Sequence, residues 1–295
     1  MIPLRLRPGG FRTKIFTSRQ LLYHFSRCNS TRPPFDHTSK FQLVDSPSPS
    51  WRIGDGLPPE MHHWKEVTSA SRKTWDFTNL ENGVRDSYKI LTSAIIPRPI
   101  ALVSTLSLDG IPNLAPFSYF SMVSHNPPMI SLSFSLSERR PKDTRDNILN
   151  SKEFTVSIIS EPFVEAANST SVESPADHDE WIFSGLSKEN SHDVEPPFVR
   201  ESAICMECEL YHAKDIGFNP SDKPTTTVIL GLIRKIHVRE SVLSGDGQTV
   251  DPAKLQCVSR LGGTMYARLL EGFEVPRVSW KVTREKYQPK QNERP

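Results

Sequence analysis

From Ile130 to Ser137 apolar and hydroxyl side chains alternate without a break, Ile130, Leu132, Phe134 and Leu136 on one parity and Ser131, Ser133, Ser135 and Ser137 on the other. A period of two is the signature of a strand, because successive side chains point to opposite faces. One face can pack while the other donates hydrogen bonds. The flanking sequence enlarges this strand into a sheet unit over 95–148. Ile100 to Thr105 reads as a strand, Asp109-Gly110 behind it as a two-residue hairpin turn, and Asn113 to Phe120 as the returning strand.

Further strands follow. Phe154, Val156 and Ile158 alternate with Thr155, Ser157 and Ile159. Ala203 to Leu210 and Thr225 to Val238 are strand-like, and Gly231 inside the latter marks a bulge or a close backbone approach. Pro162 opens a short helix through Val164, Ala166 and Ala167, and Asp251-Pro252-Ala253 starts another with Asp251 as cap. The 25 prolines among 295 residues exceed the usual share of about 5% and favour a β-rich, loop-rich chain.

Directly after the serine strand come Lys142, Asp143 and Thr144. Asp143 or Thr144 can cap a helix running through Asn147 and Leu149, and a helix start offers free amides and a positive dipole end. A lysine, a hydroxyl and such amides beside a row of serines suit a phosphate monoester. The same residues suit an ordinary capped helix, so locally both readings stay open.

The order of short motifs narrows the choice. Pro97-Arg98-Pro99, then 113–118 (Asn-Leu-Ala-Pro-Phe-Ser), then Lys142-Asp143-Thr144 resemble the flavin reductase-like family, as do Asp179 to Leu186, Glu207 to Leu210 and Ser259 to Arg268. The resemblance spans roughly Asp86 to Arg268, and the collinear set rather than any single piece carries it. It implies an all-β fold, a six-stranded antiparallel split β-barrel of Greek-key, FMN-binding type with peripheral helices. A barrel so small fills its own interior, so a flavin lies outside it, in a groove that a second copy of a homodimer completes.

On this resemblance the cofactor is FMN. Thr105, Asn113, Ala115, Pro116 and Ser118 are expected near the ring, and Ser133, Ser135, Lys142, Asp143 and Thr144 near the ribityl phosphate. The activity implied is an NAD(P)H-dependent flavin oxidoreductase that takes a hydride from NADH or NADPH and passes electrons to an unidentified acceptor. Two other readings compete: an FMN-binding electron carrier without nicotinamide oxidation, and a retained fold with an empty pocket. At Asp215 to Thr226 the chain departs from the family. Relatives carry a short turn with a Gly-Asp-His motif there, on the nicotinamide side, so the departure bears on the hydride donor more than on the flavin.

The first 35 residues hold Arg5, Arg7, Arg12, Lys14, Arg19, Arg27 and Arg32 and no acid. That composition predicts a mitochondrial transit segment, with a basic tail lacking any address as the alternative. Residues 36–84 read as linker and extension whose later part, with Trp64 and Trp75, lies against the domain. Residues 85–283 form the flavin reductase-like domain, and 284–295 a charged tail.

Other chemistry is not called for. A net charge of +2 gives no reason for a nucleic-acid partner, and no apolar run nears the ~20 residues of a membrane helix, so neither nucleic acid nor membrane is expected. Cys205 and Cys208 lie three apart on a strand and face opposite sides, unfit for one metal or a redox pair. The adjacent Asp177, His178, Asp179 and Glu180 cannot all address one ion, and His237 reads as a satisfied surface or core histidine. No metal site is expected and no catalytic side chain is assigned.

Overall fold

The chain is described here by a computed structural model covering residues 31–58, 60–78, 84–137 and 142–286. It divides into a unit 1–39 and a unit 40–295. In the first, 31–39 bear a turn in which the Asp36 carboxylate accepts from the Thr38 amide at 2.8 Å. Most of the basic segment and the end of the charged tail, 287–295, lie outside the described residues.

Seven strands of the second unit build one antiparallel sheet: β1 Ala101–Leu106, β2 Pro112–Phe117, β3 Phe120–His125, β4 Pro128–Ser135, β5 Glu153–Ile158, β6 Ile204–Ile216 and β7 Thr226–Val238. Their order is β2-β1-β5-β6-β7-β4-β3. The sheet thus has seven strands where six are expected, because 113–120 is not one strand. It breaks at Ser118 and Tyr119, where the Tyr119 carbonyl accepts from the Ser133 amide at 2.9 Å and hands the following segment to β4. The strands on either side of this break stand at opposite ends of the order. Only two residues join them, so the two ends of the order approach each other at this bend. No β2–β3 ladder is present among the described residues.

The β1–β2 connection also differs from expectation. Gly110 takes the predicted positive φ of 77°, but the loop is longer than two residues, and the Ser107 hydroxyl accepts from the Asp109 and Ile111 amides to close it.

β1 is buried on both faces, which is why its apolar run is continuous. Ala101 and Val103 join Ile130, Leu132, Phe134, Phe154 and Val156 in one core; Ile100 and Leu102 join Leu114, Phe163 and Trp181 in another. Each such large side chain contributes about 1.5–3 kcal/mol on leaving water. Helices flank the sheet: α1 Val84–Ala94, α2 Asp143–Ser151, α3 Val164–Ser169 and α4 Glu180–Ser184. Asp179 caps α4 through the Trp181 amide at 2.9 Å, and Gly185 ends it at φ 66°. No helix among the described residues is long and apolar enough to cross a membrane.

The extension is tied down by backbone rather than by its tryptophans. Gln42–Val44 pairs in parallel with Glu271–Phe273, and a Cβ on Gly272 would come within 2.6 Å of the Phe41 ring. Trp64 and Trp75 are 50% and 39% exposed, so neither is embedded in the domain.

Candidate functional site

Two neighbouring cavities open where the end of β2, the bend at Ser118, the serine face of β4 and the start of α2 converge. The first, about 340 Å³, is lined among others by Arg98, Ser118, Tyr119, Ser133, Ser135 and Arg260. The second, about 470 Å³, is lined by Asn113, Ala115, Asp143, Thr144 and Glu180. Pro116, Phe117, Lys142 and Ser171 belong to both. The strand alternation explains the first: Ile130, Leu132 and Phe134 are turned into the core, so Ser133 and Ser135 must face outward.

The charges of the two cavities are opposite in balance. The first has Arg98, Lys142 and Arg260 and no carboxylate among its lining residues. Arg98 is buried, and its Nη1 donates to the Thr92 and Ile95 carbonyls, its Nη2 to the Leu261 carbonyl and its Nε to the Ser118 hydroxyl. All of these acceptors are uncharged, so its positive charge is left to the cavity. Arg260 stacks over the Tyr266 ring at 4.5 Å and donates to the Gly263 carbonyl. The Tyr119 phenol is pushed up by burial and by Tyr88, with Arg98 opposing.

In the second cavity three acids, Asp143, Glu173 and Glu180, stand against Lys142. Burial pushes the Asp143 carboxyl up, and Glu180 and Asp146 add to this against Lys142. Glu180 is itself buried; it accepts from the Leu114 amide at 3.3 Å and from the Ser174 hydroxyl.

Behind the second cavity lies a closed network. The Asn113 side-chain amide donates to the Thr105 hydroxyl at 3.1 Å and to the Thr144 hydroxyl at 2.8 Å, and Asn147 donates to Thr105 at 3.0 Å. It fastens α2 to β1 and β2. It also changes the role of Thr144, which does not cap α2: Lys142 occupies the N-cap position without a side-chain cap, and Asp143 is the first helical residue.

Nine of the ten anticipated residues, Asn113, Ala115, Pro116, Ser118, Ser133, Ser135, Lys142, Asp143 and Thr144, therefore line one or both cavities. Thr105 is fully buried and lines neither. Sequence reasoning did not anticipate Arg98, Tyr119, Ser171, Glu180 and Arg260 as lining residues. Arg98 and Arg260 were within reach, because both stand inside the motifs Pro97-Arg98-Pro99 and Ser259 to Arg268. The acidic run separates as anticipated: Asp177 pairs with His178 at 2.8 Å and Asp179 caps α4, while Glu180 turns inward. Cys205 and Cys208 are both buried and free; Cys208 belongs to the core, and Cys205 contacts Ser157 on the other side of β6.

Comparison with known proteins gives a consistent result. The family model described as Flavin reductase like domain matches residues 93–250. The YwrF protein of Bacillus subtilis is 35% identical over 196 residues, covering 66% of this chain and 95% of that protein. Among solved structures, nitrilotriacetate monooxygenase component B from Bacillus cereus is 35% identical with a TM-score of 0.64, covering 70% of this chain and all of that one. A putative flavin reductase with split barrel domain from Shewanella frigidimarina shares the fold, with a TM-score of 0.57 at 22% identity over 70% of this chain and 100% of that one. The mitochondrial expectation falls here. The YwrF relative is bacterial, as are those in Halalkalibacterium halodurans, Aquifex aeolicus and Deinococcus radiodurans, and bacteria have no mitochondria. Arginines without acids are a composition that a basic tail shares with a targeting helix, and residues 1–30 lie outside the described residues.

Proposed function

The chain belongs to the flavin reductase-like domain family, and from that premise we propose that it is an FMN-dependent oxidoreductase that takes a hydride from NADH or NADPH and delivers electrons to a separate acceptor. The observation that carries this reading is the convergence of nine anticipated residues, seven from the motifs and two from the serine strand, on two adjoining cavities. Both volumes fall in the range of small-molecule sites. The donor set fits the cofactor: hydroxyls and cations for a phosphate monoester, and the lining of Ala115, Pro116 and Phe117 for a ring.

In this reading Ser133, Ser135 and Lys142 hold the phosphate on the cationic side, with Arg98 and Arg260 supplying the field. Ala115, Pro116 and Ser118 border the ring. Asn113, Thr105 and Thr144, already bonded to one another, fix the wall from behind, and Asp143 orients the start of α2. A bound isoalloxazine supplies the hydride-accepting centre, and the protein positions and tunes it. We further read the sheet as a closed barrel and the working form as a homodimer.

The electron-carrier reading has one specific feature in its favour, the long segment 215–226 in place of the relatives' short turn. An absorption spectrum before and after anaerobic NADH and NADPH separates the readings. Flavin bands that bleach with either nucleotide are expected; bands that persist favour the carrier, and a protein that stays colourless in excess FMN sinks both.

A further inference from the structure

We propose that His192, Glu207 and His237 form a binding site for one divalent transition-metal ion of the zinc class. The three lie 15 and 30 residues apart in sequence, which is why no spacing motif announces them. The fold brings them together from the segment before Phe198, from β6 and from β7, and one potential ligand atom of each lies within 4.8 Å of the others. None of them lines either cavity of the flavin site.

Glu207 is the centre of the arrangement. Its side chain is fully buried, yet no lysine or arginine among the described residues neutralises it. Its carboxylate accepts from the backbone amides of His192 at 3.0 Å and Asp193 at 2.6 Å and from His237 Nε2 at 2.6 Å. The two amides fix its orientation, as supporting contacts do around a metal ligand. His237 is held flat against Phe198, with ring centroids 5.1 Å apart, and its ring lies 4.8 Å from that of His192.

The charges nearby are already paired, Lys235 with Asp193 at 2.6 Å and Arg239 with Glu189 at 2.9 Å. Glu207 has His237 as its ionisable partner instead. Two imidazoles and one carboxylate match an open zinc site, whose ligand atoms stand about 3.4 Å apart for bonds of roughly 2.1 Å in tetrahedral geometry. Shifts of about an ångström bring the present atoms to that spacing. His192 is exposed, so an ion can enter. A cavity of about 180 Å³ beside His192, His237 and Cys205 leaves the fourth position to water. Zn²⁺ would take the place of the hydrogen bond between His237 Nε2 and the Glu207 carboxylate.

Untagged full-length protein, stripped with chelator, should bind one equivalent of Zn²⁺ in calorimetric titration, equally well with and without FMN. His192→Ala removes an exposed ligand and should weaken that binding at least tenfold while circular dichroism stays native. His237→Gln should weaken it as much. Co²⁺ should give visible d–d bands in the wild type that both variants lose. If Glu207 and His237 are only a hydrogen-bonded pair, the wild type takes up no zinc, or takes it up as both variants do; either result overturns the site.

Discussion

Lys142 and Thr144 stand two residues apart and do different work. Lys142 lines both cavities, whereas the Thr144 hydroxyl is buried and accepts from Asn113. Lys142→Ala should therefore lower affinity for FMN roughly ten- to a hundredfold, the effect of losing a charge-assisted contact of about 1.5–3 kcal/mol, and leave riboflavin almost unchanged. Thr144→Ala should instead cost about 1–3 kcal/mol of stability by orphaning a buried donor, with the ratio of FMN to riboflavin affinity preserved. Fluorescence titration with both flavins, beside urea unfolding, checks the pair; an unchanged ratio in Lys142→Ala would move the phosphate elsewhere. Asp143 between them carries a pH signature. Its carboxyl is raised by burial and by Glu180 and Asp146, against Lys142, so the folded chain keeps that proton to higher pH than the unfolded chain. Stability then falls as pH rises from the ordinary carboxylate range through the raised value, and levels off above it. Asp143→Asn should abolish that fall. Urea unfolding across acid and neutral pH, with wild type and variant differing by a constant, would refute the assignment.

At the scale of elements, the closest fit lies between β7 and β5. The register of β7 on β6 shifts at Gly231, and a Cβ there would stand 2.5 Å from Cζ of the fully buried Phe154. Phe154 cannot swing away without opening the core, so Gly231→Ala should destabilise the protein by about 1–3 kcal/mol through overpacking. Shortening the opposing ring should relieve part of this: in the Phe154→Leu background the added cost of Gly231→Ala should be smaller. Equilibrium unfolding of the four proteins tests it, and strict additivity would mean that the two residues do not compete for the same space. The same logic of close approach holds the extension, where Phe41 packs over Gly272 beside the 42–44 ladder.

For the whole molecule, apolar side chains are uncovered on two elements that start at the cavity lining, β3 directly after Tyr119 and α4 at Glu180: Met122 and Val123 on edge strand β3, at 72% and 50% exposure, and Ile182 and Phe183 on α4, at 78% and 53%. Such surface fits a second copy better than water. Light scattering should give twice the chain mass, and a monomer with full FMN affinity would contradict the dimer. Much of this molecule was legible from local pattern. The serine strand, β5, β7, the positive φ at Gly110 and the close approach at Gly231 follow from period and from glycine's freedom, which are properties of neighbouring residues. Seven of the cavity-lining residues, within 113–118 and 142–144, followed from collinear motifs. What the chain alone could not disclose depends on residues distant in sequence: the break at Ser118 and Tyr119, made by a hydrogen bond from Ser133; the loss of Thr144 as a cap, caused by Asn113; and the meeting of His192, Glu207 and His237. Alternation and turn chemistry are set within a few bonds, so sequence determines them, whereas the partner of a buried polar group is chosen by whichever strand the sheet brings opposite, and only the tertiary structure decides that.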